Sequence, residues 1–324
     1  MRVMVLGENA VRTLLPMAEC IEAMERAFLA AGRGDFAQPL RIIAWQPDKR
    51  GAVAAMPAYA DGVLGAKLIT VFPQNRSEGL ESHQGLIALH ESGNGRLLAI
   101  AHAGAITAIR TAAVSALATR LLANEDAGDL ALLGSGAQAQ EHLEAMRAVR
   151  RLRRVRVWSR TPAHAQEFAQ HHSTGALSIT VCPTPEEAVR DADIVCTLTA
   201  ATQPVLYGEW LSKGAHVNAV GSSVPPFREL DAAVVTRSRI YVDMRECVLR
   251  ESDDLREPIR EGLIRESDIA GELREMVSGG CPLRTRSDEI TLFKSVGMAI
   301  EDLAAVRFVF ERALRSGTGE FIDL

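Results

Sequence analysis

A glycine-containing turn between an apolar run and a helical pattern is the part of the sequence that most clearly predicts chemistry. Gly134, Gly136 and Ala139 form the pattern Gly-x-Gly-x-x-Ala directly after the apolar run 130–133, and residues 138–149 have helical periodicity. The first glycine permits a tight turn, the second lets the backbone approach a pyrophosphate, and the alanine allows close helix–strand packing. The helix N-terminus would offer free N–H groups to the phosphates. We therefore predict dinucleotide binding rather than a glycine turn without a ligand. The expected contacts are Gly134, Gly136, Ala137 and Gln138.

The end of the next predicted strand, at 154–158, indicates which dinucleotide is bound. Enzymes that use NAD usually place Asp or Glu here, where a carboxylate accepts hydrogen bonds from the ribose hydroxyls. This sequence has Ser159 and Arg160 instead. Arg160 can pair with a 2′-phosphate, and Ser159 and Thr161 can donate hydrogen bonds to it. NADP(H) is therefore expected in preference to NAD(H), which stays possible. The alternative is that Arg160 is one more surface residue of an arginine-rich segment.

Length and composition restrict the class of protein. A chain of 324 residues predicts about two domains. The net charge is −5, from 36 basic and 41 acidic residues, which gives no reason to expect nucleic acid or an anionic membrane as a partner. The sequence has no apolar run of 18 residues and no apolar signal segment at its start, so we expect neither a transmembrane helix nor secretion. Its five cysteines are scattered without metal-like spacing, which predicts free thiols in the cytoplasm and no bound metal.

The order of predicted strands and helices gives the fold class. After the glycine turn, strand-like runs alternate with helices, which predicts an α/β fold with a Rossmann-type doubly wound parallel sheet. Before it, a helix and several β-like runs predict an α+β substrate-binding and dimerisation domain, to which a long C-terminal helix at 293–313 returns. We therefore expect a nucleotide-binding domain at 119–295, inserted into a domain formed by 1–118 and 296–324.

A series of further motifs occurs along the chain in a fixed order. They are Met56-Pro57, Gly65-Ala-Lys67, Phe72-Pro-x-Asn75, Thr107-Ala-Ile-Arg-Thr-Ala-Ala113, Gly134-Ser-Gly-Ala-Gln-Ala139, Asn218-Ala-Val-Gly-Ser-Ser223, Arg228-Glu-Leu-Asp231 and Glu289-Ile-Thr-Leu-Phe-Lys-Ser-Val-Gly297. The series strongly resembles the ornithine cyclodeaminase/mu-crystallin family over essentially the whole chain. The resemblance implies a dimeric NAD(P)-dependent enzyme acting on amino acids or on the imines derived from them.

Three cations outside the nucleotide-binding segment are the candidates for binding a substrate carboxylate. Alone, Arg41, Lys67 or Arg110 would be read as a solvated surface charge, but each stands at its family position. By resemblance, Arg41 and Arg110 hold the carboxylate, with Met56 beside them. Lys67 lies near the substrate nitrogen or a bound water, where neighbouring cations could lower its pKa enough for proton transfer. Arg110 could instead contact mainly the cofactor pyrophosphate.

The resemblance also extends the cofactor site beyond the glycine turn. It places Ser82 and His83 on the nicotinamide side, Arg110 and Thr111 at the pyrophosphate, and the segments 220–223 and 295–297 over the nicotinamide ring. Val296 and Gly297 are also expected to contact the substrate. The remaining expected cofactor contacts are Thr197, Leu198, Val220, Ser222 and Ser295.

One departure from the family pattern discriminates between activities. Cyclodeaminases of the family have Gly-Gly-Asp after Asn-Ala-Val, whereas this chain has Gly221-Ser222-Ser223. Serine cannot act as a carboxylate base at neutral pH, so Ser223 disfavours a reaction with repeated proton transfers. We expect an NADPH-dependent reductase of a cyclic 2-carboxy-imine, such as 1-pyrroline-2-carboxylate, giving a cyclic amino acid of the proline type. The alternatives are an ornithine cyclodeaminase, an alanine-type amino-acid dehydrogenase, or a non-catalytic binding protein of the mu-crystallin kind.

Overall fold

A computed structural model describes residues 2–72, 74–75, 79–175 and 177–323; Pro73 of the Phe72-Pro-x-Asn75 motif lies outside these residues. The chain divides into two compact units. The first contains Met1–Thr111 and Met298–Leu324, and the second contains Ala112–Gly297. The boundaries expected from the sequence, at 118/119 and 295/296, differ from these by seven and two residues. The first boundary falls inside one continuous helix, so no composition change marks it.

The first unit is a mostly antiparallel sheet with helices. Its elements are β1 (Arg2–Leu6), α1 (Glu8–Leu14), α2 (Met17–Gly32), β2 (Phe36–Ala37), β3 (Ile42–Trp45), β4 (Ala52–Ala60), β5 (Val63–Val71), β6 (His83–Glu91), β7 (Leu97–His102), the first half of α3 (Ala103–Leu122), α11 (Ala299–Ser316) and β16 (Glu320–Asp323). The strand order is β16-β1-β7-β6-β5-β4-β2, with β3 also paired to β4. All pairs are antiparallel except β1–β7.

The two faces of this sheet differ in what covers them. Along β4 every second residue is buried, and α2 and α11 pack against this strand. The opposite face has a row of apolar residues that pair directly across four strands: Ile42 with Ala55, Ala55 with Leu68, and Leu68 with Leu86. Within this row Ile42, Leu68 and Leu86 are 63%, 47% and 38% exposed. The face therefore presents an apolar strip that no element of the same unit covers within the described residues.

The second unit is a parallel sheet with helices between its strands. Its elements are the second half of α3, β8 (Asp129–Leu133), α4 (Ala137–Val149), β9 (Arg154–Trp158), α5 (Pro162–His172), β10 (Ile179–Val181), α6 (Pro185–Val189), β11 (Ile194–Thr197), β12 (His216–Ala219), α7 (Ala232–Arg237), β13 (Ser238–Val242), α8 (Arg245–Glu251), α9 (Asp253–Arg260), β14 (Ile269–Glu272), α10 (Leu273–Val277) and β15 (Ile290–Lys294), with two short 3-10 helices at Gly208–Trp210 and Glu266–Asp268. The strand order is β10-β9-β8-β11-β12-β15-β13-β14, and every pair is parallel. The predicted doubly wound parallel sheet is confirmed.

The predicted helix at 293–313 is wrong at its beginning. Ile290–Lys294 forms β15, which lies between β12 and β13, and the helix begins only at Ala299. All five residues of β15 are buried. A parallel strand covered on both faces has no alternating pattern, so its periodicity cannot be distinguished from that of a buried helix.

The helix α3 is long and apolar enough to cross a membrane by length and composition, but 78% of its most apolar window is buried within the protein. Its C-terminal end is held by two arginines. Arg150 donates to the carbonyls of Thr119 and Ala123 at 2.9 and 3.0 Å, and Arg284 donates to that of Leu122 at 2.5 Å. Among the described residues, the carbonyls of Leu122 and Ala123 have no main-chain donor, and the guanidinium groups satisfy them, while the carbonyl of Thr119 also accepts from the N–H of Ala123 at 3.0 Å. These features are those of a core helix.

Candidate active site

A buried cluster of two cations and two carboxylates lies in the first unit. Lys67 is on β5, Arg110 is on α3, and Glu301 and Asp302 are in the first turn of α11. The Lys67 Nζ lies 2.7 Å from Asp302 Oδ2 and 3.5 Å from Thr107 Oγ1. Arg110 donates from Nε to Asp302 Oδ1 at 2.8 Å and from Nη1 to Glu301. One carboxylate, that of Asp302, therefore joins Lys67 and Arg110, two of the three cations that the sequence predicts to act on the substrate.

Sheet register explains why Lys67 reaches this cluster. Lys67 pairs with Met56 of β4 on one side and with Ile87 of β6 on the other. Directly paired residues point to the same face of an antiparallel sheet. All three are buried, and α11 packs against all three strands on this face. The lysine is thus held beside Met56, under the helix that carries Asp302.

Burial and neighbouring charges set the protonation of the cluster. Burial lowers the pKa of Lys67 from 10.5 to about 8, with Asp302 opposing the shift and Arg110 and Arg41 adding to it. Burial disfavours the charged form of Asp302, but Arg110 and Lys67 together hold the pKa of this carboxyl below its usual value. Burial also disfavours the Arg110 cation, yet Asp302 and Glu301 raise the pKa of Arg110 above its ordinary value. Lys67 is therefore the member of the cluster that can exchange a proton near neutral pH.

Glu301 and Asp302 were not predicted as site residues. Two acids in the first turn of an amphipathic helix are ordinary partners of the helix dipole, and this explains their presence without any site. The distinguishing fact is that both are almost fully buried. Apolar residues precede and follow the two acids in the sequence. This pattern could have predicted that both acids are buried and therefore need cationic partners.

The other predicted residues of the first unit lie at different places. Arg41 directly precedes β3 and is half-buried, and it is close enough to Lys67 to affect its pKa. Ser82 Oγ lies 3.0 Å from His83 Nδ1 at the beginning of β6, where His83 is exposed. Thr111 follows Arg110 on α3 and is half-buried. The structure thus groups Arg41, Lys67 and Arg110, and it places Ser82 with His83 at a strand end.

The glycine turn of the second unit has the backbone that the sequence predicts. Gly134 has φ +121°, and a Cβ there would lie 2.7 Å from the carbonyl oxygen of Leu198. At the start of α4 the first helical bonds are donated by Ala139 and Gln140 to the carbonyl of Gly136. The N–H groups of the two preceding residues, 137 and 138, have no acceptor among the described residues, so they are available to a ligand.

A buried polar atom also lacks a partner at this turn. Gln138 Oε1 has no hydrogen-bond partner among the described residues. A buried acceptor without a donor costs free energy unless a ligand or water satisfies it. Together with the tight backbone at Gly134, this fits a site in which the first turn of α4 and Gln138 would hold a dinucleotide.

The loop after β9 carries the residues predicted to select the cofactor. Ser159 is half-buried, and Arg160 and Thr161 are exposed. Thr161 is the N-cap of α5, but its side chain makes no capping hydrogen bond. This loop therefore presents a cation and two hydroxyls, and it has no carboxylate before Pro162 begins α5.

A buried glutamate joins the loops after β11 and β12. Glu229 Oε2 accepts from Thr197 Oγ1 at 2.6 Å and from the N–H of Gly221 at 2.7 Å. Its Oε1 accepts from the N–H and the hydroxyl of Thr199 at 2.6 and 2.7 Å. Burial raises the pKa of Glu229, while Lys294 and the two threonine hydroxyls oppose the shift. Thr197, which the sequence predicts to contact the cofactor, therefore donates its hydroxyl hydrogen bond to Glu229. The sequence predicts no role for Glu229, although it belongs to the Arg228-Glu-Leu-Asp231 motif.

The serines after Gly221 differ in exposure. Ser222 is buried, and its hydroxyl donates to the carbonyl of Phe227 at 2.5 Å. Ser223, at the position of the cyclodeaminase Asp, is half-buried. Val220 is buried and Leu198 is half-buried, each directly after a strand of the sheet. Ser222 thus fastens its own loop, whereas Ser223 is the serine accessible to a ligand.

The segment after β15 is held by an aspartate. Asp243 Oδ2 accepts from the N–H groups of Val296 and Gly297 at 2.7 and 2.8 Å. Ser295, which is almost fully buried, donates its N–H to the carbonyl of Ala219 at 3.1 Å. The loops after β8, β9, β11, β12 and β15 all lie at the carboxyl edge of the sheet, which is the edge where nucleotides bind in open α/β folds.

The chain is similar to known proteins over nearly its whole length. The profile of the ornithine cyclodeaminase/mu-crystallin family matches residues 1–317. The mouse protein "Ketimine reductase mu-crystallin" is 40% identical over 293 residues, which is 90% of each chain. The Thermococcus litoralis Delta(1)-pyrroline-2-carboxylate reductase, solved with NADH and L-proline, is 37% identical, with a TM-score of 0.95 over 98% of this chain and 99% of its own.

A third relative is an archaeal alanine dehydrogenase, solved as a dimer with bound NAD. It is 30% identical and has a TM-score of 0.95, and all of both chains is covered. Sequence profile, sequence identity and fold therefore agree over nearly the full length. The chain belongs to the ornithine cyclodeaminase/mu-crystallin family, as its ordered motifs predict.

Proposed function

We propose that this protein is an oxidoreductase that uses NADPH to reduce a cyclic 2-carboxy-imine, such as 1-pyrroline-2-carboxylate, to the corresponding cyclic L-amino acid. The observation that carries the proposal is the buried cluster of Lys67, Arg110 and Asp302. A carboxylated imine needs a cation for its carboxylate and a proton donor for its nitrogen. The cluster supplies both in the first unit, while the second unit fits the cofactor.

The hydrogen-bond donors of the cluster favour an anionic substrate. The cluster itself is balanced when ionised, with the two cations Lys67 and Arg110 and the two carboxylates Glu301 and Asp302. Arg41 adds a further cation near enough to Lys67 to lower its pKa. A guanidinium has five N–H donors, and Arg110 gives two of them to Asp302 and Glu301. Among the residues that the structure describes, three donors therefore remain, enough to hold a substrate carboxylate by two hydrogen bonds.

Lys67 is the proposed proton donor to the substrate nitrogen. Its pKa of about 8 keeps it protonated at neutral pH, yet makes it a stronger acid than an ordinary lysine. Asp302 holds the ammonium by one ion pair and so restricts its direction. Arg41 and Arg110 would fix the substrate carboxylate, and Met56 would lie against its ring.

The proposed cofactor is NADPH. When bound, its reduced nicotinamide supplies the hydride that the imine carbon accepts. Arg160 with Ser159 and Thr161 would bind the 2′-phosphate, and the first turn of α4 with Gly134 and Gly136 would bind the pyrophosphate. The other proposed cofactor contacts are Ala137, Gln138, Thr197, Leu198, Val220, Ser222 and Ser295 in the second unit and Ser82, His83, Arg110 and Thr111 in the first.

Ser223 supports reduction over cyclodeamination. A cyclodeaminase must oxidise the amino acid, release ammonia and close the ring, with several proton transfers. The half-buried hydroxyl of Ser223 cannot replace a carboxylate in these transfers at neutral pH. Imine reduction needs only an oriented, protonated C=N, which the lysine and arginine of the cluster would provide.

A homodimer is proposed through the exposed apolar strip of the first unit, defined by Ile42, Ala55, Leu68 and Leu86. An uncovered apolar sheet face of this kind marks an interaction site. The archaeal alanine dehydrogenase, with which this chain shares its fold over full length, was solved as a dimer. A second copy of this chain is therefore the proposed partner.

The five free cysteines are consistent with the reducing cytoplasm as the proposed location.

The deciding experiment compares three substrates with purified protein. With 1-pyrroline-2-carboxylate, we expect stoichiometric oxidation of NADPH and formation of L-proline, identified by chiral chromatography. With pyruvate and ammonia, and with ornithine, we expect less than about a hundredth of that rate. Ammonia release from ornithine without added reductant would instead establish a cyclodeaminase. Reductive amination of pyruvate at the greatest rate would establish an alanine-type dehydrogenase, and turnover of none of the three would favour a binding protein.

A further inference from the structure

We infer that Glu229 is a positioning residue that sets the two loops of the second unit on the nicotinamide side of the dinucleotide site. The inference rests on the proposed function for the identity of the cofactor. The two loops follow β11 and β12, and Glu229 is attached to both. It acts through the main chain of these loops and touches no substrate atom in this role.

The position of the loops in the sheet assigns them to one half of the cofactor. In a dinucleotide-binding sheet the two halves lie on either side of the first strand, here β8. The strand β9, with Ser159 and Arg160 at its end, lies on one side of β8, and this is the adenosine side. The strands β11 and β12 lie on the other side, so the loops that Glu229 joins face the nicotinamide half.

A glutamine at position 229 could not make all the hydrogen bonds that Glu229 makes. Each carboxylate oxygen accepts from one main-chain N–H: Oε1 from Thr199 and Oε2 from Gly221. A threonine hydroxyl can rotate and accept instead of donating, but a main-chain N–H cannot. Whichever way a glutamine amide were oriented, its NH₂ group would face one main-chain N–H, and one of the two loops would have to move.

Space around the carboxylate is equally restricted. A Cβ at Gly221 would lie 2.6 Å from Glu229 Cδ and 2.1 Å from the carbonyl oxygen of Thr199. The glycine is therefore needed because the carboxylate packs directly against the backbone of the β12 loop. Little room remains for the loop to adjust to a changed acceptor.

A second layer fixes Glu229 itself. Asp254 Oδ1 accepts from the N–H groups of Glu229 and Leu230 at 2.8 and 3.0 Å. Asp254 Oδ2 lies 3.2 Å from Lys294 Nζ, and both side chains are fully buried. Lys294 ends β15, directly before the segment 295–297 that is expected over the nicotinamide ring. The chain Lys294–Asp254–Glu229 thus links three loops at the carboxyl edge of one sheet.

The test measures binding of two probes by calorimetry to the full-length wild type, Glu229→Gln and the control Glu209→Gln. Glu209 is exposed and lies in the same unit, so its substitution removes the same charge without removing any hydrogen bond that Glu229 makes to the two loops. The probes are NADPH and 2′-phospho-ADP-ribose, which lacks the nicotinamide. In Glu229→Gln we expect NADPH to bind about tenfold to hundredfold more weakly, the range for one unsatisfied buried group, and the fragment to change by less than about threefold. Glu209→Gln should bind both probes as the wild type does.

Thr199→Val is the second variant, because Glu229→Gln could fail to fold, which circular dichroism would show. This substitution removes the Thr199 hydroxyl, which can either donate or accept, and leaves the main-chain N–H. NADPH binding should therefore weaken by about threefold to tenfold, and binding of the fragment should again change little. Equal weakening of both probes, or no weakening in either variant, would overturn the inference. If the wild type bound neither probe, the proposed cofactor would be wrong, and that failure is distinct from the failure of the inference.

Discussion

Asp302 Oδ2 lies 2.7 Å from the Nζ of Lys67, and the other oxygen of the same carboxylate accepts from Arg110. The carboxylate thus raises the pKa of Lys67, while burial and the two arginines lower it to about 8. Asp302 therefore has two effects on the proposed site. It aims the ammonium, and it keeps the ammonium protonated at neutral pH.

The first prediction concerns the pH dependence of imine reduction. Lys67 must be protonated to donate, so kcat/KM should fall as the pH rises through about 8. In Asp302→Asn the raising effect of the carboxylate is lost, so this basic limb should move to lower pH. The measurement is the pH–rate profile of both proteins. Glu311→Gln, on an exposed turn of the same helix, should leave the limb where it is. A limb at the same pH in wild type and Asp302→Asn would contradict the role given to Lys67.

The second prediction concerns Arg110. Lysine is as good a helix former as arginine, so Arg110→Lys should keep α3 folded. An ammonium has three donors and no fixed fork, and it cannot bind Asp302, Glu301 and a substrate carboxylate with the same geometry. We expect kcat/KM for the imine to fall by about a hundredfold or more. Steady-state kinetics with circular dichroism as the folding control are the measurement, and unchanged kcat/KM in a folded variant would remove Arg110 from the site. A parallel loss of NADPH affinity would place it at the pyrophosphate instead.

The third prediction concerns cofactor choice. The wild type should bind NADPH more tightly than NADH because Arg160 can pair with the 2′-phosphate. Arg160→Ala should weaken NADPH binding by about tenfold to hundredfold and leave NADH binding nearly unchanged. Arg151→Ala, an exposed arginine of the same segment, is the control for loss of one positive charge. Fluorescence titration with both cofactors is sufficient, and equal affinities in the wild type would refute the preference.

The fourth prediction concerns Ser223. Ser223→Ala should reduce the rate of imine reduction by at most about tenfold, the equivalent of one hydrogen bond. Ser223→Asp should raise KM for the anionic substrate, since it adds a negative charge near the expected position of its carboxylate. It should not produce ammonia from ornithine, because the rest of a proton relay would be missing. A loss of a thousandfold in Ser223→Ala would show that the hydroxyl takes part in the chemistry.

The fifth prediction concerns assembly. Leu68→Glu places a charge at the centre of the apolar strip, paired across the sheet with both Ala55 and Leu86. We expect it to convert a dimer to a monomer in analytical ultracentrifugation, since an unpaired charge is costly in a buried interface. Leu314→Glu is the matched control, because Leu314 is similarly exposed but lies on α11, away from the strip. A monomeric wild type, or a dimeric Leu68→Glu, would exclude this interface.

Much of the second unit follows from local sequence. The strand–glycine–helix order around Gly134 and Gly136 predicts a tight turn, and at Gly134, where φ is +121°, the backbone favours glycine. The absence of an acid after β9 is equally visible in the sequence, because it depends on one position relative to one strand. Family membership also follows from the sequence alone, since the motifs occur in order along the whole chain.

Tertiary structure decided what holds the predicted residues in place. Glu301 and Asp302 are about 190 residues from Arg110 along the chain, and Glu229 meets Thr197 and Gly221 only where neighbouring strands end together. Such pairings depend on the strand order and on which helix face packs against the sheet. Packing of the whole unit determines both. The sequence therefore predicts the cations and the glycines, because their chemistry is local. It does not predict the buried carboxylates that orient them, because a carboxylate is recognised as a partner only when the fold has enclosed it.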